Sequence, residues 1–150
     1  MEGVGAQDPT LIAYIDGGAR GNPGPAGFGV KIVRPDGALV DELAESIGIA
    51  TNNVAEYRGL LAALEWARSR GHRSLHVRSD SLLLVQQMLG HYKVKHPNLQ
   101  PLHAKARLLA NEIGRVTFEH VRRAFNADAD RLANQAMDIE SEKAEGKRQK

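Results

Sequence analysis

The sequence lacks cysteine altogether, which excludes disulfides, zinc sites built on thiolates and thiol nucleophiles. Aromatic residues are scarce, at 5% of the chain. No hydrophobic run approaches the ~20 apolar residues that a membrane span requires. Residues 1–9 have neither the basic start nor the apolar core of a secretion signal. These absences predict a cytoplasmic protein with no membrane partner.

Neither sign of charge dominates, since 20 Lys and Arg stand against 18 Asp and Glu, for a net charge of +2. The hydrophobic share of 42% and the charged share of 25% are typical of a globular protein. A chain of 150 residues is most simply one domain. We expect that domain over residues 10–139, between a disordered start at 1–9 and a charged, disordered tail at 140–150.

Hydrophobic periodicity predicts the element order βββαβααβα. Short turns join the first three strands into an antiparallel meander, whereas strands linked through helices run parallel with right-handed crossovers. The prediction is an α/β fold with a five-stranded mixed sheet: strands 1–3 antiparallel, strands 1, 4 and 5 parallel, helices on both faces. The strands are predicted at 10–16, 27–33, 38–49, 74–80 and 115–121, and the helices at about 51–71, 81–90, 101–113 and 126–139.

Residues 16–29, "DGGARGNPGPAGFG", look at first like a phosphate-binding loop. Such a loop needs a Lys-Ser or Lys-Thr pair and opens a helix, but here Pro23 and Pro25 interrupt the run and a strand follows. We interpret the run as a wide hairpin connection whose glycines adopt positive φ. The missing side chains would also let a bulky polymer approach the backbone beside Asp16.

Four acids are predicted to meet at one edge of this sheet. Asp16 ends strand 1 and Asp80 ends strand 4, and parallel strands bring both to the same carboxyl edge. The helices that start at this edge carry Glu56 and Asp130 in their first turns. The carboxyl ends of strands are where open α/β sheets bind ligands.

Three of these acids have a structural alternative when each is taken singly. Glu56 could pair with Asn53 in a capping box, and Asp80 could cap the short helix after it. Asp130, with Asp128, could interact favourably with the dipole of its helix. Together, four crowded carboxylates repel one another unless they are protonated or neutralised by cations. Mg²⁺ suits such a set, and two ions can stabilise the attacking and leaving oxygens of a phosphoryl displacement. This pattern predicts a metal-dependent nuclease.

Four segments in this order and spacing, "YIDGGARGNPGPAGFGV", "TNNVAEYRGLLAAL", "VRSDS" and "NADADRLAN", resemble type 1 ribonuclease H over about residues 10–138. The resemblance implies a ribonuclease H fold with sheet order 3-2-1-4-5. It also implies cleavage of the RNA strand of RNA/DNA hybrids, with two Mg²⁺ or Mn²⁺ ions per active site, leaving 5′-phosphate and 3′-hydroxyl ends. The family's catalytic, metal-binding acids fall on Asp16, Glu56, Asp80 and Asp130.

The resemblance also implies contacts with nucleic acid in the first two of these segments. The contacts fall on Gly17, Gly18, Asn22, Thr51, Asn52 and Asn53. Asparagine amides can bond to minor-groove base edges and to the 2′-hydroxyl that separates RNA from DNA, and a threonine hydroxyl can donate to phosphate. The sequence "TNN" is equally typical of ordinary helix capping, and both interpretations can hold together.

The chain departs from the family pattern in two places. Many bacterial members carry a basic, tryptophan-bearing helical protrusion, where this chain has only "HYKVKHPNLQP" with Lys93 and Lys95. Those members also place a histidine in the loop before the last aspartate, where this chain has Arg123, as in a protrusion-less subset. Arginine cannot serve as a base, so its hypothesised role is to attract the scissile phosphate or help product depart. The alternative is a solvated loop charge, and His120 on the preceding strand is interpreted as structural.

Two rival functions remain open. One is another nuclease of the same superfold, acting on duplex RNA or DNA junctions. The other is a catalytically silent nucleic-acid-binding domain, which the presence of all four acids disfavours. We expect a monomer whose partner is an RNA/DNA hybrid, with duplex RNA as a further candidate. Fold alone does not separate these functions.

Overall fold

The computed structural model describes residues 9–148, and its five strands form a single mixed sheet. The strands are β1 (Leu11–Ala19), β2 (Gly24–Val33), β3 (Leu39–Ala50), β4 (Ser74–Ser79) and β5 (Arg115–His120). Their order is β3-β2-β1-β4-β5, with β1–β2 and β2–β3 antiparallel and β1–β4 and β4–β5 parallel. The predicted fold class and sheet order are confirmed.

Four α-helices and one 3₁₀ turn complete the fold of the described residues. They are α1 (Asn52–Ser69), α2 (Leu82–Met88), α3 (Gln100–Ile113), the 3₁₀ turn Arg123–Asn126, and α4 (Ala127–Arg148). Helices α1 and α3 pack on one face of the sheet, whereas α4 packs across β1, β2 and β3 on the other. Within residues 9–148, no helix is both long and apolar enough to cross a membrane.

Helix α1 covers the centre of the sheet because its apolar residues recur at helical spacing. Tyr57, Leu60 and Leu64 are fully buried against the sheet residues Ile15 and Val77. The helix starts at Asn52, where the Thr51 side chain caps it by accepting from the Val54 N–H, 3.2 Å away. It ends at Ser69, and Gly71 follows with a φ of +75°.

The glycine-rich run lets two helices pack closely on the sheet, and it does not form a wide connection between strands. Strand β1 continues to Ala19 and β2 begins at Gly24, and of the run's glycines only Gly21 has a positive φ, +87°. A Cβ on Gly17 would lie 2.4 Å from the backbone of α1, and a Cβ on Gly29 would lie 2.5 Å from the backbone of α4. The predicted wide hairpin was therefore wrong, because these glycines remove side-chain bulk where helices approach.

The segment expected to be a charged, disordered tail is helical as far as the structure describes it. Helix α4 runs past the expected end at Ile139 to Arg148. Two hydrogen bonds hold it along β3: Ser46 donates to the Ala136 carbonyl (2.7 Å), and Glu140 accepts from the Gly48 N–H (3.0 Å). Composition could not show this, because the helix is held by polar contacts with a distant strand. The expected disordered start lies, except for Pro9, outside the described residues.

Candidate active site

Asp16 and Asp80 lie side by side at the carboxyl edge of the sheet. The parallel pairing of β1 with β4 ends at the pair Ile15 and Ser79, and the residue that follows each of these two is one of the acids. Asp16 does not end its strand as expected, because β1 stays paired with β2 and Asp16 lies opposite Gly29. Asp80 directly follows β4. The cap of α2 is Ser81, not Asp80, so the capping alternative for Asp80 is excluded.

Glu56 joins them from helix α1. It lies in the second turn rather than the first, since Thr51 is the N-cap, and it is therefore not the partner of Asn53 in a capping box. The close approach of α1 to the bare backbone of Gly17 brings it over Asp16. Carboxylate oxygens of Asp16, Glu56 and Asp80 all lie within 4.8 Å of one another.

Asp130 completes the group from the first turn of α4, as predicted. Its carboxyl lies close enough to that of Asp16 to help raise the pKa of Asp16. Helix α4 reaches this position because the backbone at Ala129 rests on Gly29, opposite Asp16 in the sheet. Asp128 faces away and pairs with Lys31, whose Nζ is 2.5 Å from its Oδ2. The four acids Asp16, Glu56, Asp80 and Asp130 form what we call the acid cluster.

Burial and crowding disfavour the ionised forms of three of these acids. Burial raises the pKa of Asp16 to about 8, with further contributions from the Asp80 charge and from the neighbouring Asp130 carboxyl. Burial and then the Asp80 charge raise the pKa of Glu56 to about 7. The pKa of Asp80 is also raised, mainly by burial, although Arg123 opposes this shift. The cluster holds more negative charge than its protein surroundings compensate.

One carboxylate oxygen of the acid cluster lacks a hydrogen-bond donor, which suits the binding of a divalent cation. Asp80 Oδ2 is buried and, among residues 9–148, no hydrogen-bond donor reaches it. The nearest cation is the Arg123 guanidinium, whose Nε lies 3.9 Å away on a side chain that is 87% exposed. Three carboxylates with one such oxygen offer the hard oxygen ligands that Mg²⁺ and Mn²⁺ prefer.

The residues expected to contact nucleic acid divide into two groups. Asn22, Thr51 and Asn53 line a pocket of about 220 Å³ beside the start of α1, which we call the amide pocket. Asn52 faces β1 instead, where its side chain accepts from the Ala19 N–H at 2.8 Å. Asn22 also accepts from the Asn52 N–H at 3.0 Å, so it stabilises the helix start as well as lining the pocket.

Gly17 and Gly18 are not pocket residues. Both lie in β1 and are only half-buried. A Cβ on Gly18 would lie 3.3 Å from Met137 of α4 and 3.7 Å from the side-chain oxygen of Asn52. Their described contacts are therefore with the two helices that flank the strand.

Sequence reasoning missed two residues near the acids and one in the amide pocket. Asn126 is almost fully buried and donates to the Ile15 carbonyl at 2.8 Å, which fixes the 3₁₀ turn beside β1. His120 Nε2 donates to the Asp80 carbonyl at 3.2 Å. His96 lines the amide pocket from the loop between α2 and α3. Asn126 lay in the segment "NADAD", His96 lay in "HYKVKHPNLQP" and His120 had been interpreted as structural, but none of the three had been assigned to the site.

Comparison with known families places this geometry in context. The profile of a family described as "Reverse transcriptase-like" matches residues 14–136. The chain is 51% identical over 135 residues to the bifunctional protein Rv2228c of Mycobacterium tuberculosis, covering 89% of this chain and 37% of that protein. It is 44% identical over 126 residues to ribonuclease HI of Halobacterium salinarum, covering 84% of this chain and 63% of that protein. The chain thus spans less than two thirds of either relative.

Solved structures show the same fold at similar identity. The N-terminal RNase H domain of Rv2228c, solved as a fusion with maltose-binding protein, superposes with a TM-score of 0.87 at 47% identity, covering 91% of this chain and 99% of that one. LC11-RNase H1 in complex with an RNA/DNA hybrid gives a TM-score of 0.83 at 45% identity, covering 87% and 98%.

Proposed function

Because the chain belongs to the reverse transcriptase-like family and, within it, to the type 1 ribonucleases H, we propose that it hydrolyses the RNA strand of RNA/DNA hybrids. The products are a 5′-phosphate and a 3′-hydroxyl end. The observation that carries this proposal is the acid cluster: oxygens of Asp16, Glu56 and Asp80 lie within 4.8 Å of one another, and the Asp130 carboxyl lies beside Asp16. The similar LC11-RNase H1, solved in complex with an RNA/DNA hybrid, supports this choice of substrate.

Asp16, Glu56 and Asp80 would hold the divalent ions, with Asp130 beside Asp16. Two ions, Mg²⁺ or Mn²⁺, would supply charge stabilisation for the attacking and leaving oxygens of an in-line displacement. The chain's own contribution is to keep the carboxylates crowded. The two helices that pack on Gly17 and Gly29 supply Glu56 and Asp130 and fix their distance from Asp16.

The substrate would be held along the start of α1. The amides of Asn22 and Asn53 have N–H donors for the minor-groove face and the 2′-hydroxyl of RNA, and the backbone of Gly17 and Gly18 and the side chain of Asn52 would contribute beside them. Thr51 would donate to a phosphate oxygen without adding charge. These contacts would favour a hybrid over duplex DNA, which has no 2′-hydroxyl.

Arg123 would act on the phosphate rather than on a proton. Its guanidinium is close to Asp80 yet almost fully exposed, so the side chain can turn toward a bound substrate. Arginine stays protonated at all relevant pH values. Its proposed role is therefore to attract the scissile phosphate or to assist the departure of product.

The test compares three duplexes of one sequence: RNA/DNA hybrid, duplex RNA and duplex DNA, each with Mg²⁺, Mn²⁺ or a chelator. We expect cleavage of the hybrid only when metal is present, with the product ends identified by their ability to be ligated. Equal cleavage of duplex DNA would contradict the proposal, and binding without cleavage would favour a catalytically silent domain. Cleavage of duplex RNA at a similar rate would widen the substrate class. Measuring the molecular mass in solution in the same buffer tests the proposed monomer. Fluorescence microscopy of a tagged chain in cells tests the proposed cytoplasmic location.

A further inference from the structure

Asn126, the last residue of the 3₁₀ turn, has a buried side chain between the ends of two strands. The residue is only 1% exposed. Its side-chain amide donates to the Ile15 carbonyl at 2.8 Å, and the residue that follows Ile15 is Asp16. Because an amide nitrogen donates whereas an amide oxygen only accepts, this bond fixes which way the amide faces. The side chain is thus held against the backbone of β1 directly beside the acid cluster.

The same amide lies beside the carboxyl of Asp80, which follows β4. Burial is the main cause that raises the pKa of Asp80, and Arg123 and then Asn126 act against that shift. Arg123 acts from a side chain that is 87% exposed, whereas Asn126 acts from inside the protein. An amide nitrogen carries two hydrogens, so one can serve the Ile15 carbonyl while the other faces Asp80. Asn126 therefore offers this carboxyl a donor that the backbone itself holds in place.

Asn126 also lies where the turn meets the next helix. Helix α4 starts at Ala127 and carries Asp130 in its first turn. The 3₁₀ turn has no side-chain cap at its start, so the bond from Asn126 to β1 ties it to the sheet from its other end. One buried side chain thereby adjoins the backbone before Asp16, the carboxyl of Asp80 and the start of the helix that supplies Asp130.

The two ends of this amide differ in how they are used. Asn126 Oδ1 is buried and, among residues 9–148, no donor reaches it. A buried acceptor without a partner destabilises the fold, so packing alone would favour an apolar side chain here. Gln87, the other buried amide among the described residues, accepts from the Tyr57 hydroxyl (2.6 Å) and donates to the Lys93 carbonyl (3.4 Å). The part of Asn126 that the protein uses is therefore its donor end, which faces the acids.

We propose that Asn126 is a positioning residue for the metal site, whose buried amide holds the Asp80 carboxylate in the orientation that binds a divalent ion. This inference rests on the proposed function, which gives the acid cluster its metal. A carboxylate that binds a metal ion is itself oriented by hydrogen bonds from behind, and removal of such a partner lowers metal affinity by about 10- to 100-fold. Because the Ile15 carbonyl anchors Asn126, the amide also fixes the separation between Asp80 and Asp16.

The experiment titrates the metal-free chain with Mn²⁺ at one fixed pH, without nucleic acid, and measures the free ion by electron paramagnetic resonance. Asn126→Leu keeps the branched shape but removes the donors, so the dissociation constant of the ion should rise about tenfold. Asn126→Ala should show the same rise, and it serves if leucine does not fit the site. The matched control is Gln87→Met, which removes the other buried amide and should leave the dissociation constant unchanged. Thermal melts without metal verify that each variant is folded.

Hybrid cleavage over a series of Mg²⁺ concentrations separates this inference from the proposed function. Asn126→Leu should need more Mg²⁺ for half-maximal cleavage and should recover at high Mg²⁺, because its acids are all present. Wild-type affinity for Mn²⁺ in the folded Asn126 variants, or an equal loss in Gln87→Met, would overturn the positioning role while cleavage by the parent chain still upheld the proposed function. Weakened Mn²⁺ binding in Asn126→Leu, with a parent chain that binds the ion but cleaves no hybrid, would uphold the positioning role and overturn the function.

Discussion

The acid cluster and a second polar group, which we call the paired group, adjoin at β1 and β4 but differ in how many hydrogen-bond donors the protein supplies to their carboxylates. Two residues before Asp16 and Asp80 on β1 and β4 are Tyr14 and Arg78, which face the same side of the sheet. Arg78 donates to the Tyr14 hydroxyl (2.7 Å) and to Glu119 on β5 (2.9 Å). Here the carboxylate lies among donors, whereas the acids farther along have almost none.

The pKa shifts record this difference. His76 also donates to Glu119, at 2.8 Å, and the bonds from His76 and Arg78 lower the pKa of that carboxyl. The pKa of Asp16 is raised to about 8 because burial and neighbouring acids act on it together. A carboxylate that accepts hydrogen bonds from protein donors needs no further neutralisation. A buried carboxylate without such donors indicates a site where a bound ligand supplies the positive charge.

The largest expected effect is a loss of hybrid cleavage when one charge is removed from the acid cluster. The control removes one charge from the paired group. Asp16→Asn keeps the side-chain shape but removes a proposed metal ligand, so hybrid cleavage should fall by orders of magnitude while the fold persists. Glu119→Gln removes an equal charge from the paired group and should leave cleavage unchanged. Its stability cost should be at most about 1 kcal/mol, since the pair is exposed.

The measurement is single-turnover hybrid cleavage at saturating Mg²⁺, with thermal melts of both variants. Near-wild-type cleavage by Asp16→Asn would remove Asp16 from the site. A large loss of cleavage in Glu119→Gln, with the fold intact, would instead show that the two groups act together and that the comparison is wrong.

A smaller effect is expected from the two arginines. Arg78 is committed to Glu119 and Tyr14, whereas Arg123 is 3.9 Å from Asp80 and exposed. Arg123→Ala should lower single-turnover cleavage on the order of tenfold, or about 1.4 kcal/mol of transition-state stabilisation. It should add no new ionisation to the pH profile, because arginine does not titrate there. Arg78→Ala is the control and should affect only stability. Wild-type rates for Arg123→Ala at every pH would leave it a solvated loop charge.

The sequence predicted the sheet and the meeting of four acids because these follow from strand order. Two strand ends and two helix starts share an edge once β1, β4 and β5 are parallel. What could not be predicted depends on distances between elements. The place of the Asp130 carboxyl beside Asp16 requires α4 to rest on Gly29, and the place of Glu56 in the second turn depends on which residue caps α1.

Long-range polar contacts escaped prediction for the same reason. Helix α4 extends to Arg148, and its Glu140 accepts from the Gly48 N–H across the fold, although the local composition is that of a disordered tail. His96 enters the amide pocket only because the loop turns back toward α1. Neither contact has a local sequence signal.

The smallest effect concerns stability against pH in the metal-free protein. The pKa of Asp16 is raised from an ordinary 3.8 to about 8, so between these values the folded chain holds a proton that the unfolded chain has released. Stability therefore decreases as pH rises through this window. Glu56, with a pKa raised to about 7, acts in the same direction. We expect the melting temperature in chelator to fall as the pH rises across this window.

Metal should reverse this trend, because an ion binds the folded chain and binds best to ionised acids. Millimolar Mg²⁺ or Mn²⁺ should thus raise the melting temperature more at high pH than at low pH. Asp16→Asn should flatten the metal-free profile, whereas Glu119→Gln should not, because the pKa of Glu119 is lowered rather than raised. A melting temperature that ignores both pH and metal would mean that the acids are not crowded in solution. The contrast between the two groups would then have no energetic basis.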